Sequence, residues 1–413
     1  MHPLQTLAHL SLLLGGSVTG SPLEKKSSDS QWTYNPNRNP AFPPDQVDLL
    51  LDSTIPKIQT YLNKQTALGL KNNNCTLSTA AVRREWSDMS LPDRKEYIRA
   101  VLCLQSLPSR SAASGQAPGA KSRFDDFVAT HMTMAGELHS PATIFPAHRY
   151  FIWAYETALR DECGYEGYQP YMNYDRYAQD PINSLLFDGS EGSMGGNGKL
   201  APYPGINTMY PRPYDKIPMA EGGGCVTEGP FKDMVVSLGP KGEVVRNIPR
   251  NPRYDGLGPN PRCLRRDVNK HSVMGARANY TYSLIMEYED VDSFYNRYMG
   301  MPQLKGEKYP WGVHMAGHYL IGGDPGGDFY CSPGDPLFYF HHGMLDRIWW
   351  IWQMQDPEHR INAVPGYGDA HIHGRQNILD SMIDLGWTAP PVTLGSQNDQ
   401  LGGHGGKYCY IYV

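Results

Sequence analysis

Charge is scarce in this sequence, and neither sign dominates. Of 413 residues only 19% are Asp, Glu, Lys or Arg, and the formal net charge is −5. No basic run offers a nucleic-acid surface, and no acidic tail offers a solvating role. Beyond the first 20 residues, no segment approaches the ~18 consecutive apolar residues of a membrane span. Cys-x-x-Cys pairs are missing, which argues against zinc knuckles and a redox dithiol as the use of the 7 cysteines. No repeat recurs at a period of about 20–50 residues, so no solenoid or propeller is expected. No Pro/Gly-rich linker is clean enough to divide the chain into two domains.

Glycine (43), proline (34) and tyrosine (27) are plentiful, too much so for a plain helical bundle. Long irregular loops are therefore expected around whatever helices form. The first residues, MHPLQTLAHLSLLLGGSVTG, carry a short apolar stretch from Leu10 to Val18 and small residues near Gly20. This resembles a secretory signal over residues 1–20. Residues 21–44 are polar and Pro/Asn-rich and read as a processed or extended arm, with Lys25-Lys26 as a second processing point. In a secreted, extracellular chain most cysteines form disulfides, and an odd number leaves one over. Cys331 is the expected free thiol. The glycosylation sequons Asn74-Cys-Thr and Asn279-Tyr-Thr fit the same compartment.

Apolar residues recur at helical spacing over Asp45–Tyr61, with Asp45 near the N-cap. Further helices are expected over Ser78–Met89, Pro92–Leu104, Arg123–Leu138, Ala147–Arg160, Tyr282–Tyr298, Trp311–Leu320 and Leu337–Gln355. Residues 164–280 show little periodicity, and a structureless loop that long is improbable, so short turns and strand pairs should cover a helical core. The terminal YCYIYV alternates like an edge strand.

The histidines sort into two sets. His131, His139 and His148 lie in or beside helical segments. His314 and His318 stand at i, i+4, and the pair His341/His342 follows inside an aromatic run. A buried imidazole without a partner is costly, so such placement needs a reason. Three neutral imidazoles leave a metal one open coordination position. Zinc accepts such a set, but a hydrolytic zinc site has a carboxylate base as in His-Glu-x-x-His, and His314-Met-Ala-Gly-His318 has none. No Cys or Met completes a blue-copper pattern there. Two all-histidine sites suit copper, and two coppers close together suit dioxygen chemistry. The remaining histidines are read as ordinary: His2 and His9 fall in the leader, and His271, His359 and His404 stand singly in loops. His371-Ile-His373 offers too few ligands for a closed site.

These residues resemble a known family. DPLFYFHHGMLDRIWW (335–350) matches the second metal signature of the type-3 copper proteins, the tyrosinases, catechol oxidases and haemocyanins, and FPAHRYFIWAYETALR (145–160) resembles the first. The likeness covers most of residues 75–413 and is greatest to short secreted fungal members. It implies a mainly α fold, a four-helix bundle holding a dicopper centre, surrounded by long loops and a few short strands. It implies a single catalytic domain over 45–413 without the C-terminal lid of longer relatives, since the chain ends at Tyr408-Cys-Tyr410-Ile-Tyr412. It assigns one copper to His131, His139 and His148, and the other to His314, His318 and His342, with His341 beside the site.

Two departures bear on chemistry. Many relatives carry a thioether-forming Cys two residues before the second histidine, where this chain has Glu137. Hydroxylating relatives often carry Asn directly after the first histidine of the second set, where this chain has Met315, a weak acceptor at best. Glu307 lies near the position of the Glu that works with that Asn. The resemblance therefore implies oxidation of ortho-diphenols to ortho-quinones with O2 reduced to water. The alternative is a tyrosinase that also hydroxylates monophenols, and an oxygen carrier or a zinc hydrolase come after it. The partners are small phenols and O2. Asp346 is the candidate partner for the outer nitrogen of a ligand imidazole, set against a surface ion pair with Arg347. Phe329 is a candidate gate, because relatives place a blocking side chain in this loop, and Phe151, Trp153, Phe338, Phe340, Trp349 and Trp350 are expected to pack helices.

Overall fold

Helix ends follow local signals. In the computed structural model, which describes residues 34–70, 75–207, 216–242, 248–300, 311–366, 368–369 and 376–413, Asp45 caps the Gln46–Ala67 helix. Its carboxylate accepts from the backbone of Val47 at 2.7 Å and Asp48 at 2.9 Å. Ser122 and Asp125 form a reciprocal capping box at the start of Arg123–Leu138, an arrangement worth about 0.5–2 kcal/mol. Gly164, with φ of 64°, ends the Ile144–Cys163 helix in the left-handed conformation that glycine adopts without penalty. Leu337–Gln355 has the limits its sequence implies, and residues 337–354 are all buried.

The architecture is mainly helical. Ile144–Cys163 packs against Leu337–Gln355 and Arg123–Leu138, and Val313–Ile321 packs against Leu337–Gln355. These four helices enclose an aromatic core in which Phe127, Phe151, Tyr155 and Tyr339 interlock. The Tyr155 and Tyr339 rings stack with centroids 3.4 Å apart. Such ring pairs add about 0.5–1.5 kcal/mol beyond the area they bury. Among the described residues the strands form only two-stranded pairs, several of them in the 164–280 region. Pro36–Val413 forms one compact unit. Within it, the polar 36–44 segment is pinned by Arg38 on Asp52 at 2.7 Å and by the Asn39 amide on Asp88 at 2.6 Å.

Two helical expectations fail. Ser78–Met89 is not a helix: it forms the strand Ala81–Arg83 and a short 3-10 turn, Trp86–Asp88. Its backbone bonds go to distant partners, the parallel strand Tyr410–Tyr412 and the Tyr171 carbonyl, which accepts from Trp86 at 3.0 Å. The terminal segment is thus a strand, as its alternation suggests, but a buried one. Tyr282–Tyr298 is two helices, Ala278–Glu287 and Val291–Met299, because Asp290 caps the second by accepting from the Ser293 amide at 2.8 Å.

Disulfides join Cys75 to Cys409, Cys103 to Cys163 and Cys225 to Cys263, leaving Cys331 as a buried free thiol. Residues 1–20, read as a secretory signal, and Asn74, Glu307, His371 and His373 lie outside the described residues. Asn279 is exposed at the start of its helix. Among the described residues no helix is long and apolar enough to cross a membrane.

Candidate metal centre

Two consecutive helices build the first histidine group. His131 lies within Arg123–Leu138, His139 is that helix's C-cap, and His148 is one turn into Ile144–Cys163. Their rings lie 4.8–6.0 Å apart. Each is oriented by a backbone carbonyl that accepts from Nδ1: Tyr330 at 2.7 Å for His131, Ala135 at 2.8 Å for His139, and Ile144 at 2.8 Å for His148. An Nδ1–H so fixed leaves Nε2 with its lone pair directed into the group.

The second group rises from the other two helices. His314 and His318 share one face of Val313–Ile321, with rings 5.0 Å apart. His341 and His342 come from the second turn of Leu337–Gln355, and all four offer nitrogens within 4.8 Å of one another. The two groups face each other. His148 stacks on His342 at 4.4 Å with an 8° interplanar angle, and His139 lies 5.9 Å from His314.

The side chains fit copper ions by their unmet bonding. Nε2 of His131, His148, His314, His341 and His342 is buried without a hydrogen-bond partner. Each such orphan costs about 1–3 kcal/mol unless something else binds it. Burial also holds all seven imidazoles neutral, the form that ligates metal: His139 is pushed down to about 4 and His318 to about 3, and the others lie well below the usual range.

A stability prediction follows for the metal-free protein. An unfolded histidine takes a proton near pH 6.5, whereas His139 folded does so only near 4. Between these values the unfolded chain binds more protons, so folding stability falls as pH is lowered from about 6.5 and is flat above it. Urea unfolding of the chelator-treated protein at several pH values checks this. Constant stability from pH 7.5 to 4.5 overturns it.

The two adjacent histidines differ in setting. His341 Nδ1 is bonded to the Tyr174 hydroxyl at 2.6 Å, and its nearest ring is His318 of its own group, at 4.4 Å. A Cβ at Gly317 would sit 2.1 Å from that Nδ1, so only glycine admits the His341 ring here. His342 instead lies between Phe338, at 4.1 Å, and His148 of the opposite group.

Phe338 proves to be more than helix packing. Its ring also lies 5.3 Å from His131 and 5.9 Å from His318, in the floor between the groups. The signal was present: Phe338 precedes His342 by one helical turn and shares its face. Phe329 sits half-buried over His139, ring to ring at 4.4 Å. Met315 is buried beside His314, and Glu137 is exposed.

Asp346 has neither of its two expected roles. Its carboxylate accepts from Arg149 at 2.6 Å, Arg83 at 3.4 Å, Tyr410 at 2.8 Å and Tyr412 at 2.7 Å, rather than from a histidine. Arg347 is not its partner either, because that guanidinium pairs with Asp48 at 2.7 Å. Successive helix residues point to different faces, so the two charges are drawn to different neighbours. Arg149 follows His148 directly, so Asp346 braces the helix that presents a candidate ligand.

Comparison with known proteins places this geometry. The sequence model described as the common central domain of tyrosinase matches residues 121–355. Tyrosinase-like protein orsC from Emericella nidulans is 42% identical over 315 residues, 73% of this chain and 82% of the relative. Tyrosinase P from Aspergillus terreus is 34% identical over 343 residues, 80% of this chain and 92% of the relative. N-acetyl-6-hydroxytryptophan oxidase ivoB from Emericella nidulans is 32% identical over 361 residues, 82% and 93% of the two chains. Among solved structures, a polyphenol oxidase mutant from Thermothelomyces thermophila superposes with a TM-score of 0.78 at 37% identity, covering 89% of this chain and 97% of that one. The matched domain spans both histidine groups and more than half of the sequence, and on that ground the chain belongs to the tyrosinase family of type-3 copper oxidoreductases, which work with two copper ions.

Proposed function

We propose that this chain oxidises ortho-diphenols to ortho-quinones while O2 is reduced to water, with His131, His139 and His148 holding one copper and His314, His318 and His342 the other. The observation that carries this reading is the pair of facing histidine groups, neutral, buried and with unpartnered Nε2 atoms, beneath a half-exposed edge at His139 and Phe329. When bound, the copper ions supply the electron exchange with O2. Two diphenols release four electrons and four protons, O2 takes them up as two waters, and two quinones leave.

The chain's own residues orient and exclude. Backbone carbonyls fix the imidazoles of the first group, and Phe338 fills the floor between the groups. The Phe329 ring over His139 is suited to limit entry to flat aromatic molecules. Met315, beside His314, has a thioether that accepts a proton poorly, which favours a substrate that needs no hydroxylation. Relatives named as a tyrosinase and as an N-acetyl-6-hydroxytryptophan oxidase support hydroxylated aromatic rings as the substrate class. We assign the protein to the extracellular side, because three disulfides fit an oxidising compartment.

One assay pair tests the reading. The copper-loaded protein is offered a catechol and the matching monophenol, and quinone absorbance and O2 uptake are followed. Catechol should be consumed at one O2 per two quinones, with the monophenol left unconverted. If neither is consumed the oxidase reading fails, and monophenol turnover moves the protein to the hydroxylating tyrosinases.

A further inference from the structure

The loop between the helices Val313–Ile321 and Leu337–Gln355 touches both histidine groups. The Tyr330 carbonyl accepts from His131 Nδ1 at 2.7 Å, and His318 hydrogen-bonds to the Gly326 backbone. Between these two points, Phe329 lays its ring on His139. Five residues thus reach one histidine of the second group and two of the first. Backbone carbonyls orient a ligand only as well as their own turn is held, and this turn contains Gly326 and Gly327, the least restricted residues.

Asp328 holds it. Its side chain is buried, 3% exposed, and each carboxylate oxygen has two backbone donors. One oxygen accepts from the amides of Tyr330 at 2.8 Å and Cys331 at 3.1 Å, closing the turn on itself. The other accepts from Lys241 at 3.0 Å and Gly242 at 2.7 Å, docking a second segment. That segment returns to the first group: Lys241 Nζ lies over the Tyr330 ring at 4.3 Å and donates to the carbonyl of Met132, the residue after His131, at 3.3 Å. The carboxylate therefore fixes the Tyr330 carbonyl from inside its turn and from the neighbouring segment.

We propose that Asp328 is a positioning residue for the first copper site, setting its affinity by holding the Tyr330 carbonyl against His131 and the Phe329 ring against His139. The proposal rests on the reading of His131 as a ligand. Removing the outer partner of a ligand histidine typically weakens metal binding by about 10–100-fold, and Asp328 acts one bond further out, through the backbone. Asn in its place keeps one acceptor oxygen and loses the other, so Asp328→Asn gives up either the internal pair of amides or the docking pair.

The test is a chelator competition on the whole protein. Metal-free protein is loaded with copper and titrated against a competing chelator, and copper retained per chain is read by elemental analysis. Asp328→Asn should release one copper at about 10-fold lower chelator concentration and the other at the unsubstituted level. His131→Ala should lose one copper outright, and adding Asp328→Asn to it should cost no further copper, because the two act on the same site. If Asp328→Asn retains both coppers at the unsubstituted level, the proposal fails, whatever its melting temperature. If His131→Ala itself retains both, the ligand reading fails instead, a distinct result. Should Asp328→Asn not accumulate as folded protein, Asp328→Ser, which keeps a short acceptor for the Tyr330 and Cys331 amides, is read the same way.

Discussion

His342→Ala should bind one copper per chain where the unsubstituted protein binds two, and its diphenol oxidation should fall by more than the ~10–100-fold seen when only a ligand's outer partner is removed. His341→Ala should keep both coppers. The contrast rests on where the two rings sit. Both have a buried, unpartnered Nε2, but His342 alone of the two stacks on the opposite group, on His148 at 4.4 Å. His341 is tied back by Tyr174 through Nδ1 and seated on Gly317. Losing the His341 ring leaves the Tyr174 hydroxyl only its longer bond to the main-chain carbonyl of that residue, at 3.3 Å, so a cost of about 0.5–1.5 kcal/mol in stability is expected without loss of metal. Elemental analysis after exhaustive dialysis, paired with denaturant unfolding, separates the two effects. Equal copper loss in both variants overturns the choice of His342.

Much of this centre was legible because it is local. The His314/His318 pair at i, i+4, the spacing of Phe338 to His342, and the capped, periodic helices Arg123–Leu138 and Leu337–Gln355 are all written within one or a few turns of chain. What stayed hidden depends on partners far away in sequence. Ser78–Met89 has local helical character, but its backbone pairs with residues from the other end of the chain. Tyr174 comes from a stretch without periodicity, and nothing near it announces a bond to His341. The carbonyls of Tyr330 and Gly326 are invisible to any reading by side-chain type, since every residue has one. The disulfide pairing was equally closed, because the spacing of seven cysteines does not determine which meet.

Asp346 shows the same limit and carries the largest expected stability effect. Asp346→Ala should destabilise the metal-free protein by about 3–5 kcal/mol, the range for removing one partner of a buried ion pair. The carboxylate is buried among Arg149, Arg83, Tyr410 and Tyr412. Arg83 keeps a second partner in Glu156 at 2.9 Å, whereas among the described residues Arg149 keeps only neutral acceptors, the carbonyls of Asn398 at 2.5 Å and Gln397 at 3.4 Å and the Gln353 side chain at 3.2 Å, with Trp349 against its face. The uncompensated charge therefore falls mainly on Arg149. Tyr410→Phe removes one neutral donor and should cost about 0.5–1.5 kcal/mol or somewhat more, since the acceptor is charged, whereas Tyr412→Phe also removes the hydroxyl that accepts from Arg83 at 2.9 Å and should cost more. Denaturant unfolding of chelator-treated protein measures all three without the added stability that bound metal gives. A cost below about 1 kcal/mol for Asp346→Ala means that the ion-pair network is not a significant brace. A full cost has a further consequence. Asp346 stands one turn after His342, and Arg149 stands next to His148, so the pair joins the two helices that carry the stacked histidines. Asp346→Ala should then weaken copper retention as well as folding, with no metal ligand changed.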